Sequence, residues 1–175
     1  MSYSEDMPDL DADKIVEAEL DYCERDPMGY KQCLKRFLDM GIRRTVDVLV
    51  DAGLLSPNIY KSRVTREELR HWEWLTKMAI GNPKSVAEHL IDEVATYCFV
   101  RHTYDPLGCL EKYTSNELDE IFRKFFLPLT PIEIKDKIIR NYDPETLDRI
   151  KEEYKKLWEK TYREWKSTYF NELNA

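Results

Sequence analysis

The chain has 175 residues, 42% hydrophobic and 35% charged, with a net charge of −7. It is long enough to bury a core without help from a metal or disulfide, and too apolar for global disorder. Its uncharged apolar runs span only a few residues, which excludes a membrane-spanning segment. Its start, MSYSEDMPDLDAD, lacks a basic-then-apolar leader, so a cytoplasmic protein is expected.

In chain order, every strong signal is helical. Residues 1–13 form an acidic segment in which Asp11 or Asp13 is placed to cap a first helix, whose apolar stripe is Ile15, Val16, Leu20 and Cys23. Asp26-Pro27-Met28-Gly29 ends it. A second helix carries Cys33, Leu34, Phe37 and Leu38 and stops at Gly41. A third carries Val46, Leu49 and Val50 and stops at Gly53. Thr65 and Glu68 form a capping box for a fourth, with Leu69, Trp72, Leu75, Met78 and Ala79 inward. Gly81-Asn82-Pro83 breaks and restarts the chain, and Val86, Leu90, Val94 and Cys98 continue the buried stripe.

Asp105-Pro106-Leu107-Gly108 repeats the break chemistry of residues 26–29, and each break follows a Tyr-Cys and precedes a Cys-Leu. Shared helix-break chemistry explains this without an internal repeat. Thr114 with Glu117, then Thr130-Pro131 with Glu133, then Asp143-Pro144 open the remaining helices. The last runs from Pro144 to about Phe170, with Leu147, Ile150, Tyr154, Leu157 or Trp158, Tyr162, Trp165 and Tyr169 inward. Their spacing averages nearer 3.7 than 3.5 residues, which disfavours a left-handed coiled coil. The expected fold is all-α: an irregular bundle of about seven helices ending in a long aromatic-rich one. Residues 14–142 would form the helical domain. Residues 143–175 would pack on it and on a partner.

Cys23 and Cys33 have nine residues between them. That spacing resembles the coiled-coil-helix proteins of the mitochondrial intermembrane space, but Cys98 and Cys109 have ten, and Pro27 and Gly29 interrupt the helix such a pair would occupy. Buried free thiols are therefore expected. Metal catalysis has little support: Glu68 and His71 make only one Glu-x-x-His pair, Glu68 is engaged in its cap, and His89 with Glu93 reads as a surface i,i+4 pair. Cys98, His102 and Asp105 have the types for thiol chemistry but lie side by side at a helix end, with nothing to supply an oxyanion hole. No glycine-rich phosphate loop is present. Neither a metal nor another cofactor is expected.

Residues 30–80 are the one net-basic stretch, with ten Lys/Arg against six Asp/Glu. Within residues 34–85 the order is a helix, Gly41, a helix opened by Arg43-Arg44-Thr45, then Gly53-Leu54-Leu55-Ser56-Pro57. Tyr60 and Arg63 follow, then Thr65-x-x-Glu68-Leu69. This order resembles the DNA-binding domain of the MerR-type transcription regulators. The resemblance implies a recognition helix and a small wing within residues 41–66, with Arg43, Arg44, Lys61 and Arg63 meeting phosphates or base edges.

Three functions follow as expectations. The first is a non-catalytic interaction or regulatory subunit that meets a protein partner or second copy through Tyr162, Trp165, Tyr169 and Phe170 of the last helix. The second is a sequence-specific DNA-binding regulator using residues 41–66. The third is a helical enzyme whose site carries no familiar motif.

Overall fold

The computed structural model describes the backbone of residues 7–61 and 64–174, and the side chains of residues 12–59 and 64–168. Among the described residues the fold is all-α, an irregular set of nine α-helices and no strand. In chain order the helices are α1 (Met7–Cys23), α2 (Tyr30–Met40), α3 (Ile42–Asp51), α4 (Arg66–Ile80), α5 (Pro83–Arg101), α6 (Pro106–Glu111), α7 (Leu118–Phe125), α8 (Ile132–Asn141) and α9 (Pro144–Asn174). Short 3-10 turns cover Pro57–Lys61 and Ser115–Glu117. No helix among the described residues is long and apolar enough to cross a membrane. Aromatic side chains serve the core throughout, from Phe37 and Trp72 to Phe126 and Tyr154, and are not concentrated in α9.

Contacts divide the chain into two units interleaved in sequence. One comprises residues 1–81 and 130–142, the other residues 82–129 and 143–175. The first unit therefore contains α1–α4 and α8, the second α5, α6, α7 and α9.

In the first unit α1 packs against α2, α3, α4 and α8. It begins at Met7, upstream of the expected caps Asp11 and Asp13, which lie inside it. Pro8 falls in its first turn, where a missing N–H breaks no intrahelical bond. Its predicted stripe of Ile15, Val16, Leu20 and Cys23 is buried, and so is Glu19. The Thr65–Glu68 capping box forms in both directions at the start of α4. Leu69, expected inward, is instead 37% exposed. Gly81 ends α4 in the left-handed conformation at φ 79°, and a Cβ there would stand 2.6 Å from the Tyr142 ring. Tyr142 Oη donates to the Met78 carbonyl, tying α8 to the end of α4.

In the second unit Asn82 caps α5 through Ser85 N–H, with Pro83 at the first helical position, as the sequence indicated. Two other caps differ from expectation. Thr114 starts a 3-10 turn without a side-chain bond, so α7 begins only at Leu118. In the first unit, Thr130 is buried and Pro131 takes the cap position of α8. Asp143 Oδ1 accepts from Thr146 N–H at 2.7 Å and opens α9. That helix runs four residues past the expected end and lies along α5.

The cysteines are not free thiols. Cys23 is bonded to Cys33 and Cys98 to Cys109, each with a Cα–Cα distance of 5.5 Å. A chain turn at Asp-Pro-x-Gly brings each pair together, so a continuous helix is not needed, and that is why the objection from Pro27 and Gly29 failed. The two corners share chemistry but not backbone path. Asp26 accepts from Met28 N–H before α2 begins, whereas Asp105 is itself the cap of α6, accepting from Gly108 N–H. Each bond closes a loop of about ten residues, worth about 2–3 kcal/mol against the unfolded chain. Replacing Cys23 and Cys33 by Ala should therefore lower the melting temperature by several degrees, and adding a reductant should lower the wild type at least as far. Thermal unfolding followed by circular dichroism checks both.

Candidate functional site

The helix, Gly41 and helix that open the expected DNA-binding segment within residues 34–85 form in the first unit, for a specific local cause. Gly41 joins α2 to α3 with φ 92°, a conformation costly for any residue with a Cβ. The buried Thr45 hydroxyl lies 2.8 Å from the Gly41 carbonyl and 3.0 Å from the Phe37 carbonyl. It thereby pins the first turn of α3 to the end of α2. Ile42, Val46 and Leu49 face the core, which leaves Arg43 and Arg44 exposed. Asp47 and Asp51 are exposed on the same helix, and Arg44 and Asp47 line a shallow groove of about 300 Å³ with Met40 and Val48. The exposed side of α3 is thus charge-balanced rather than basic. Residues 57–61 form a 3-10 turn where a wing would need a strand. The Lys61 side chain and Arg63 lie outside the described residues.

In the second unit α9 is engaged by its own neighbours from Tyr154 to Trp165. Tyr154 Oη donates to the Tyr113 carbonyl at 2.6 Å and Trp158 Nε1 to the Leu110 carbonyl at 3.0 Å. Tyr162 Oη donates to Glu111 Oε1 at 2.5 Å, and its ring stacks on Trp158. Trp165 meets Phe99 edge-on, with ring centroids 5.0 Å apart. Tyr162 and Trp165 are therefore half-buried within the unit, while the Tyr169 and Phe170 side chains lie outside the described residues. Beside Trp165 the last turn of α5 shows Phe99 and Val100, 58% and 67% exposed, and Tyr104 follows at 81%. The sequence reading passed over these residues because it followed the inward stripe of α5.

Two further arrangements in this unit were not foreseen. Lys124 Nζ donates to Tyr113 Oη at 3.0 Å and Tyr97 Oη at 3.2 Å. It also stands 4.2 Å from the Tyr97 ring centroid, among rings of Tyr97, Tyr113 and Phe125 that meet edge to face. Hydrogen bonds to the two phenols raise its pKa and hold α7 to α5 by a cation–π contact. His89, expected as a surface partner of Glu93, is half-buried, and its Nε2 accepts from Leu127 N–H at 3.3 Å. Leu127 is fully buried at φ 50°, an unusual conformation for a residue with a branched side chain. The imidazole must be neutral to accept that bond.

The polar centre of the first unit was also missed. Glu19 of α1 is completely buried. Its Oε2 accepts from Trp72 Nε1 at 2.5 Å, and its Oε1 lies 3.3 Å from the Thr76 hydroxyl. Burial raises its pKa from 4.5 to about 8, the two hydrogen bonds opposing only part of that effect. The signal was readable: Glu19 lies four residues after Ile15 and three after Val16, on the apolar face.

Among the described residues no group of three or more His, Cys, Asp or Glu could hold a metal ion. Glu68 is engaged in the capping box, and His71 Nε2 lies 3.4 Å from Asp13 Oδ1. Cys98, paired with Cys109, offers no thiolate beside His102 and Asp105. The chain matches no protein-family model, no curated protein and no solved structure.

Burial lowers the His89 pKa below its ordinary 6.5. The stability it contributes is therefore full above about 6.5 and is lost as pH falls through the lower folded-state value. An NMR titration of the His89 ring should give a midpoint below 6.5, with the Leu127 amide resonance shifting at the same pH.

Proposed function

We propose that the protein is a non-catalytic helical interaction or regulatory subunit. It binds a protein partner through the aromatic ridge where α9 packs on the last turn of α5. The observation that carries this reading is the exposure of Phe99 and Val100 at the end of α5, with the Phe99 ring against Trp165 of α9. Large exposed apolar residues matter when they cluster, and Trp, Tyr and Phe dominate the energetics of protein interfaces. The binding surface is thus centred on Phe99, Val100 and Trp165, with Tyr162 set back against Glu111.

The test is a photo-crosslinking residue at position 99 in the full chain, with position 156 on exposed α9 as control. Position 99 should give one discrete protein adduct, and Val100→Asp should weaken binding of the identified partner about tenfold or more. A dimer of the chain itself identifies the partner as a second copy. Equal labelling from positions 99 and 156 contradicts the reading.

A second reading, a DNA-binding regulator, draws on the α2–Gly41–α3 corner with Arg43 and Arg44 exposed. It predicts duplex binding that weakens steeply with salt, and a shallower salt slope for Arg43→Ala with Arg44→Ala. Binding no different for the double variant removes it. As to location, disulfides persist where thiols are not kept reduced. The two bonds favour an oxidising compartment over the reducing cytoplasm expected from the N-terminal sequence, and thiol trapping in freshly lysed cells distinguishes the two.

A further inference from the structure

In the core of the first unit a carboxyl group meets only neutral donors among the described residues. Glu19 lies in the middle of α1, fully buried, and both its oxygens face neutral donors of α4, the Trp72 indole and the Thr76 hydroxyl. These donors sit four residues apart on one face of α4, so the carboxyl is clamped between two successive turns of that helix. From α2 the Tyr30 phenol lies close enough to Glu19 for charge on one to act on the other. Tyr30 Oη is the buried side-chain atom that, among the described residues, has no hydrogen-bond partner.

Other charged groups around α1 are engaged elsewhere or point outward. On α8, Lys137 binds Asp21 at 2.7 Å and Glu17 at 3.7 Å, and Tyr142 donates to Met78. Lys135 of α8 is buried in this unit, and the influences on the Glu19 carboxyl are burial, the Trp72 indole and the Thr76 hydroxyl. On α3, Arg43, Arg44, Asp47 and Asp51 are exposed. On α2, Lys35 is exposed and Arg36 pairs with Asp26, while Glu24 beyond the end of α1 acts on Tyr30. On α4, Glu68 is in its capping box and His71 faces Asp13.

We propose that Glu19 makes the α1–α4 clamp a proton-operated switch, closed while the carboxyl carries its proton and loosened when it ionises. A protonated carboxyl can accept from Trp72 and Thr76 and still donate one bond. A carboxylate in the same place is a buried charge that, among the described residues, meets only neutral donors, the state proteins tolerate least. The neutral acid belongs to the closed unit and the ionised one to an open arrangement in which water reaches α1. Because α2 packs on both α1 and α4, and α3 on α1 and α2, loosening the clamp also frees the helix pair that presents Arg43 and Arg44.

The sign of the pH dependence follows from linkage. In the open chain Glu19 ionises near its ordinary value of 4.5, and in the closed unit near about 8. The closed state therefore binds the extra proton between those values. Its stability is full below the lower value, declines as pH rises, and the loss is complete above the higher one.

The experiment compares thermal unfolding of the full-length wild type and Glu19→Gln from pH 5 to pH 9. Gln keeps the shape and accepts from Trp72 but cannot ionise, and the variant leaves the His71–Asp13 contact in place. The wild type should lose about 10 °C more than Glu19→Gln across that range. A carbon-13 titration of the Glu19 carboxyl in the wild type should give a midpoint above 7. Parallel melting curves, or a midpoint below 5, overturn the proposal. If Glu19→Gln does not fold, the wild-type titration decides alone.

Discussion

A carboxyl group in the middle of a helical core restricts everything packed around it. Ionised, it introduces a charge that, among the described residues, meets only the neutral donors Trp72 and Thr76; protonated, it needs donors and an acceptor at fixed positions. The first unit supplies Trp72 and Thr76 from one face of α4, and this sets the register of α1 against α4. A slip of one residue would carry the indole N–H away from the carboxyl and leave both buried and unsatisfied, at a cost of about 1–3 kcal/mol for each group. Leu34 and Phe37 of α2 and Leu49 of α3 then fill the remaining interior. The Gly41 corner keeps those two helices in contact through Thr45. What the unit presents outward, including Arg43 and Arg44, depends on that polar contact staying closed.

The second unit meets a related demand differently. Its long helix carries aromatic side chains with polar tips, and three of those tips reach a carbonyl or carboxylate. Tyr154, Trp158 and Tyr162 bond in turn to Tyr113, Leu110 and Glu111. This regular use of phenol and indole donors anchors α9 along α6 and the following turn while the rings exclude water. An aromatic stripe on a long helix therefore does not by itself mark a partner surface. The patch left over lies at Phe99 and Val100, where the helix supporting it ends.

The sequence disclosed helix boundaries wherever one residue's local chemistry decides them. Thr65 with Glu68, Asn82 with Pro83, and Gly41 each act within four residues, and each does what its type dictates. Thr114 and Thr130 look the same locally but are overruled, the first by a 3-10 turn and the second by burial. Long-range pairings were hidden for a different reason. The bond of His89 to Leu127, the caging of Lys124 and the closure of two cysteine pairs depend on chain reversals. Periodicity along one helix does not encode such reversals. Glu19 was the exception: its place on the apolar face of α1, four residues after Ile15 and three after Val16, was visible.

The Trp72 indole reports most directly on whether the first unit is built around this carboxyl. In the proton NMR spectrum of the folded protein near pH 6, a short bond to Glu19 predicts an indole N–H resonance shifted well downfield and protected from solvent exchange. Glu19→Ala should move that resonance alone among the four tryptophans. A Trp72 indole proton at the position of a solvent-exposed indole, exchanging freely and indifferent to Glu19→Ala, would contradict the account.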